Sequence, residues 1–232
     1  MFVGHYGPAF AGKAVTRSVP LWVLFLAVQL VDIAWGLFVA NGIEHVRIIP
    51  GFTDANALDL YDMPITHSLP GALAWSAAAG LVYAIWARRE KRAGGLVVAL
   101  AVFSHWLLDL IVHVPDLELW PGGMRVGLGL WNNYPLAATV ETLVLLGGFA
   151  LYLSVTRAKG VVGRIWPWVF MALMGVAEYA NHAGPLPSDP AAFGYNAVIA
   201  YLVLTALAAI CDLTREARER PARNAAVNTP GG

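Results

Sequence analysis

The sequence predicts an all-α polytopic membrane protein with about six transmembrane helices and an N-terminal half-helix. Three observations carry that prediction. Hydrophobic residues make up 58% of the chain against 13% charged, and mean hydropathy is +0.61, a balance suited to lipid rather than to water. Six stretches (20–40, 66–87, 94–114, 134–155, 165–183 and 194–213) each approach the roughly 20 apolar residues that a helical crossing needs. Lys and Arg alternate between the intervening segments: with the N-terminus inside, thirteen lie on inner segments and only Arg47 and Arg125 on outer ones, the asymmetry that orients a bundle.

Taken in order, MFVGHYGPAFAGK (1–13) is apolar up to Lys13. Two readings are open. A half-helix rising from Lys13, kinked or shortened by Pro8, carries His5 about 12 Å into the bilayer; an amphipathic segment on the surface does not. The stretch 20–40 is too long for a signal peptide and lacks a small-x-small exit, so it reads as a retained span. It holds Asp32 about 18 Å from the inner face. His67 opens the second span. The third carries FSHWLLDLIVH (103–113), with His105, Asp109 and His113. Glu141 lies within the fourth span, and Glu178 and His182 in the outer half of the fifth. Trp22, Trp86, Trp166 and Trp168 fall at the inner interface, and Trp120 and Trp131 at the outer one, where indole rings concentrate. Residues 1–213 read as one helical domain. LTREARERPARNAAVNTPGG, after Asp212, is charged and then Pro/Gly/Asn-rich, so 214–232 reads as a solvated, disordered cytoplasmic tail.

Charge and cysteine usage exclude several classes. Lys+Arg and Asp+Glu balance at 15 each, so no nucleic-acid partner is expected. Cys211 is the lone cysteine, which removes an intrachain disulfide and any Cys-rich zinc site. A metal would rest on His and carboxylates.

The intramembrane acids and imidazoles invite that chemistry. A charge at the bilayer centre costs about 2.5–3.5 kcal/mol on insertion scales, so such groups face a shared interior and are compensated there. The cations sit almost wholly on inner segments, which leaves metal, water or protons. His105 and Asp109, Asp109 and His113, and Glu178 and His182 are i,i+4 pairs, each able to reach one ion from one helix face. His with Asp is a ligand set for zinc or manganese-like ions. Such an ion lowers the pKa of a bound water to about 7 and makes it a nucleophile, and two ions about 3.5–4 Å apart can clamp a phosphoryl group. The plainer reading of each residue stays open: a helix–helix hydrogen bond for the membrane groups, and solvated surface positions for His45, Asp62 and Asp116, with Asp62 close to His67 in sequence.

THSLPGAL (66–73) and SHWLLDL (104–110) resemble the Thr-His-Ser and Ser-His-x3-Asp motifs of the YdjM-type bacterial inner-membrane metal-dependent hydrolases. That family is in turn similar in ligand order to the zinc-dependent phospholipase C and single-strand nuclease group. GHYGPAFAGK looks like its opening segment, VDIAW stands in the place of its Pro-Asp-Ile-Asp, and LELWPGG is similar to the stretch just after its third motif. The likeness covers roughly residues 1–125. It implies metal ligation by His5, Asp32, His67, His105 and Asp109, with Asp32, His105 and Asp109 catalytic. The chain departs from the family at YDMPITHS, which lacks a His-Arg before Thr-His-Ser, and at Ala34, where the family has a second Asp.

The expectation is a membrane-embedded hydrolase of the bacterial inner membrane, multi-pass, with both termini cytoplasmic. One or two divalent ions, zinc first, activate water against a phosphoester or other ester. Glu141, Glu178, His182, His113 and Asp62 are candidates for a second ion or for supporting the ligands. The site opens outward, under the headgroups of the surrounding bilayer, where a lipid or lipid-linked phosphoester can reach it. Two alternatives stand beside it: a proton- or cation-coupled transporter, and a non-enzymatic subunit with a structural metal.

Overall fold

A computed structural model describes residues 1–218, and the chain is an all-α polytopic membrane protein. Among the described residues eight α-helices run in order: α1 (Tyr6–Val15), α2 (Leu21–Val28), α3 (Leu30–Ala40), α4 (Leu69–Trp86), α5 (Lys91–Val112), α6 (Tyr134–Val155), α7 (Val161–Ala183) and α8 (Pro190–Thr214). Five of them, α4 to α8, are long and apolar enough to cross a bilayer, and α2 with α3 makes a sixth, broken crossing bent by 49°. Three two-stranded antiparallel ribbons join them: β1 (His45–Ile48) with β2 (Leu58–Asp62), β3 (Leu117–Glu118) with β4 (Arg125–Val126), and β5 (Thr156–Ala158) with β6 (Arg215–Ala217).

Helix starts follow local chemistry. Ser68, Asn133 and Asp189 each accept a hydrogen bond from a backbone N–H three residues on. Each is followed within two residues by a proline, whose missing N–H costs nothing in a first turn. Pro8 is harmless for the same reason, because α1 starts at Tyr6 and Pro8 stays in its first turn. Pro167 lies inside α7, which begins four residues earlier than the sequence indicated. A proline there leaves the carbonyl four residues back without its helical donor, and the Arg215 guanidinium supplies one, donating to Gly163 O at 2.7 Å.

The N-terminal segment is the buried half-helix rather than a surface helix: Tyr6, Ala9 and Phe10 are all 0% exposed. Phe10 packs its ring against Phe25 at 5.0 Å, and against Phe149 and Tyr152 at 5.3 Å each, tying α1 to α2 and α6 through aromatic contact. At its foot Lys13 stays inside, donating to Val19 O at 2.7 Å and Arg17 O at 3.2 Å. Facing glycines let the tightest helix pairs meet: Gly7 with Gly148 (α1 and α6), Gly36 with Gly194 (α3 and α8), and Gly80 with Gly95 (α4 and α5). A methyl group on any of these would run into the facing backbone, which is how small residues bring membrane helices together.

The bundle has two distinct ends. Chain direction puts the ends of α3, α5 and α7 and the starts of α4, α6 and α8 together with the β1–β2 and β3–β4 ribbons. Arg47 and Arg125 lie at this end; the other described Lys and Arg residues lie toward the opposite one. Apolar side chains such as Leu81, Val82, Ile85, Val162, Ile165 and Val176 are exposed along α4 and α7, a lipid-facing belt. Trp86 and Trp168 point outward, 84% and 61% exposed.

Two expectations change. Trp131 is buried and packs tilted against His113, with ring centroids 4.0 Å apart and planes at 35°, so it serves the interior and not the lipid interface. The chain also does not loosen at 214: Arg215–Ala217 pairs with Thr156–Ala158, which fastens the end of α8 to the end of α6. The rest of the expected tail, 219–232, lies outside the described residues.

The glycine contacts predict a sharp positional contrast. Gly148→Ala forces α1 away from α6 and lowers stability by about 1–3 kcal/mol, measured by thermal unfolding in detergent. Gly147→Ala, whose added methyl meets nothing within 4 Å, leaves the midpoint unchanged or slightly raised.

Candidate metal centre

Four segments bring five polar residues to one buried point. α1 supplies His5 at its N-cap, α3 supplies Asp32 from its first turn, the turn before α4 supplies His67, and α5 supplies His105 and Asp109. Asp109 is the hub and is 1% exposed. Its Oδ1 lies 3.1 Å from His5 Nε2, 3.5 Å from His113 Nε2 and 2.9 Å from the Met1 nitrogen. Its Oδ2 lies 3.0 Å from His105 Nε2 and 3.7 Å from His67 Nε2. Asp32 Oδ1 bridges the same rings, 3.2 Å from His67 Nε2 and 3.4 Å from His105 Nε2. His5 stacks flat on His105, with centroids 3.7 Å apart and planes at 4°.

The break in the first crossing completes this cluster. His105 Nδ1 donates to the Val28 carbonyl at 2.6 Å, in the last turn of α2. A side chain that takes a carbonyl out of the helical ladder is a known cause of a kink, and the 49° bend falls directly after it. The bend starts a new helix at Leu30, which places Asp32 in a first turn, where the helix dipole favours a carboxylate.

Three of the four rings, all but His5, are held from behind in the same sense. Thr66 Oγ1 gives its hydrogen to Glu44 Oε2 at 2.7 Å and so accepts one from His67 Nδ1 at 2.7 Å. Glu44 also accepts from the Ile65 and Thr66 backbone N–H groups, at 2.8 and 3.0 Å. His113 Nδ1 donates to Asp116 Oδ1 at 2.8 Å. Carbonyls, carboxylates and this hydroxyl accept at these positions, so Nδ1 carries the proton in His67, His105 and His113. Their Nε2 lone pairs therefore face the oxygens of Asp32 and Asp109.

That arrangement tests the fit of a cation. Lone pairs facing carboxylates repel unless something positive lies between them. Protonating some of the rings is one way to meet that repulsion, each then donating from Nε2 to an aspartate. A divalent ion resolves the conflict with neutral rings. In a tetrahedral site with bonds of about 2.0–2.1 Å, neighbouring donor atoms lie about 3.3 Å apart, which matches the 3.2 and 3.4 Å around Asp32. Among the described residues two overlapping groups can hold an ion, His5/His105/Asp109 and Asp32/His67/His105. The Val28 carbonyl behind His105, and Glu44 acting through Thr66 behind His67, are the usual kind of support of a metal-ligating His.

The remaining candidates fall elsewhere. His113 joins the hub through Asp109. Glu141 is buried beside it but accepts from the Phe2 and Gly4 N–H groups, at 3.0 and 3.2 Å, so it fixes the segment that carries His5. Glu178 and His182 belong to neither ligand group; they line a cavity of about 520 Å³, which Asp32, His67, Asp109 and His113 also reach. His182 stacks on Tyr134, with centroids 3.5 Å apart. Asp62 sits on the exposed β1–β2 ribbon, paired with His45 at 2.6 Å. Asp116, expected in solvent, is buried behind His113, and Glu44 was not anticipated at all. Only the His-x2-Asp spacing of His113 and Asp116 hinted at either. Arg47 pairs with Asp59 and Arg125 with Glu118.

No family model, curated protein or solved structure matches this chain. The supporting carboxylates give a stability contrast. Glu44→Ala strands three donors, the two on Thr66 buried, and costs about 2–4 kcal/mol in thermal unfolding, whereas Asp62→Ala, removing one exposed ion pair, changes stability by less than about 1 kcal/mol.

Proposed function

We propose that this protein is a membrane-embedded, metal-dependent hydrolase of phosphoesters or other esters, with zinc the favoured ion and one or two ions per chain. The observation that carries the reading is the set of buried imidazoles whose Nδ1 atoms are already donating, so that their Nε2 lone pairs converge on Asp32 and Asp109. Support also comes from the likeness of the Thr-His-Ser and Ser-His-x3-Asp segments to the YdjM-type family.

His5, His105 and Asp109 would hold one ion, and Asp32 and His67 with His105 would hold the same ion or a second one beside it. A divalent ion there supplies Lewis acidity, polarising an ester oxygen and making a water acidic enough to attack at neutral pH. The chain's own contribution is positional. Glu44 through Thr66, the Val28 carbonyl and Asp116 fix the three rings. Asp32 and Asp109 are the carboxylates of the ligand set that face the cavity and can take a proton from a water there, and Asp32, 13% exposed, is the more open of the two. The aromatic walls, Trp131 on His113 and Trp35 near His67, limit water. The cavity volume is in the usual range for a small-molecule site, about 300–1,000 Å³. The basic residues lie mainly at the opposite end of the bundle, which favours a site facing outward in a bacterial inner membrane with Lys13 and the end of α8 on the cytoplasmic side; Met1 itself, expected in the cytoplasm, lies inside the bundle with its nitrogen 2.9 Å from Asp109 Oδ1. A lipid or lipid-linked phosphoester from the surrounding bilayer fits that position.

A second reading, a proton- or cation-coupled transporter, draws on one observation: the broken α2–α3 crossing, since interrupted helices flank ion sites in transporters. Flux in sealed vesicles separates the two.

Metal content tests the first reading. Wild-type protein carries at least one zinc per chain by plasma mass spectrometry, and His105→Ala and Asp109→Ala lose more than about tenfold of it. Wild type cleaves a chromogenic phosphodiester, a chelator stops it and zinc restores it. Metal-free wild type after resupply would refute the proposal.

A further inference from the structure

We propose that the Trp35 indole N–H is a substrate-binding donor that hydrogen-bonds an anionic ester oxygen in the cavity beside the His/Asp cluster. The inference rests on the metallohydrolase reading and assigns substrate contact to a residue that holds no metal.

Trp35 lies three residues after Asp32 on α3, so the two share a helix face. It lines the same cavity as Asp32, His67 and Asp109. The ring is 5% exposed and held edge-on by His67, at 6.4 Å and 81°, and by Phe193, at 6.0 Å and 76°. Its Nε1 is buried and meets no acceptor in the protein. Other indoles of the bundle do meet one: Trp75 donates to Ile65 O, Trp106 to His67 O and Trp166 to Leu207 O. Buried indole N–H groups ordinarily find a partner, and an N–H left without one is a cost that calls for a cause.

The chemistry of that cause is constrained. An indole nitrogen only donates, so what it meets is an acceptor. No Lys or Arg lines the cavity, while Arg47 and Arg125 are engaged with Asp59 and Glu118. An ester carrying negative oxygens therefore meets neutral donors along the wall, among them Asn181, Asn196 and Tyr201, and Trp35 is a rigid one next to the ligand set whose N–H has no acceptor in the protein.

The test uses the full-length protein in detergent, with 15N-labelled tryptophan and inorganic phosphate as probe. Trp35→Phe identifies the Trp35 Nε1–H resonance by its loss. Phosphate shifts that resonance downfield, and Trp35→Phe keeps wild-type zinc content while kcat/KM for a phosphodiester falls about tenfold. A resonance that stays still at saturating phosphate, with zinc or without, overturns the proposal, as does wild-type kcat/KM in Trp35→Phe. Failure of the metal reading registers separately, as absent zinc in wild type, and the phosphate shift then still decides the role of Trp35.

Discussion

The cost of burying Asp109 governs the architecture. A carboxylate 1% exposed in the middle of a helical bundle is tolerated only when its charge is met on every side. The Met1 nitrogen lies 2.9 Å away and imidazoles from α1, the turn before α4 and α5 itself surround it within 3.7 Å, a ring in which the proposed cation would offset the charge. Those contacts give reasons for features that are otherwise unexplained: a half-helix that dives inward from Lys13, a crossing that breaks at Gln29, and three imidazoles, His67, His105 and His113, whose outer nitrogens are occupied. The glycine pairs and the Phe10 cluster bring the helices close enough for the polar groups to meet.

The break in the first crossing links the fold and the site. In an unbroken helix the Val28 carbonyl would be spent on the backbone ladder. Released, it fixes the tautomer of His105, and the restart at Leu30 aims a helix N-terminus at Asp32. A similar exchange occurs at the far end, where Pro167 frees the Gly163 carbonyl for Arg215. In lipid an unpaired backbone group is expensive, so each irregularity is matched by a side chain from another element. One of these matches builds the candidate centre, and the other anchors the end of α8.

Much of this was legible in the sequence, because burial of charge in an apolar segment is conspicuous. The six crossings, the gathering of His67, His105 and Asp109, and the half-helix alternative for His5 all derive from hydropathy, depth and i,i+4 spacing. Other parts were not legible for physical reasons. The break at Gln29 has no Gly or Pro to announce it; it depends on a ring 77 residues away. Glu44 reaches Thr66 only once the β1–β2 ribbon folds back. Asp116 comes after a proline in a polar turn and looks solvated, yet it is buried behind His113. Spacing also misled: Glu178 and His182 are one turn apart, but they line the cavity without joining a ligand group. Trp131 fits the aromatic-belt rule by position and departs from it by packing on His113.

X-ray absorption at the zinc edge addresses the central claim most directly, because it reads the atoms around the ion. The account predicts a shell of nitrogen and oxygen only, at about 2.0–2.1 Å, with the outer-shell pattern of several imidazoles and no sulfur, since Cys211 lies away from the cluster at the end of α8. A sulfur shell, a shell of oxygens without imidazole, or no bound metal in resupplied protein would contradict it.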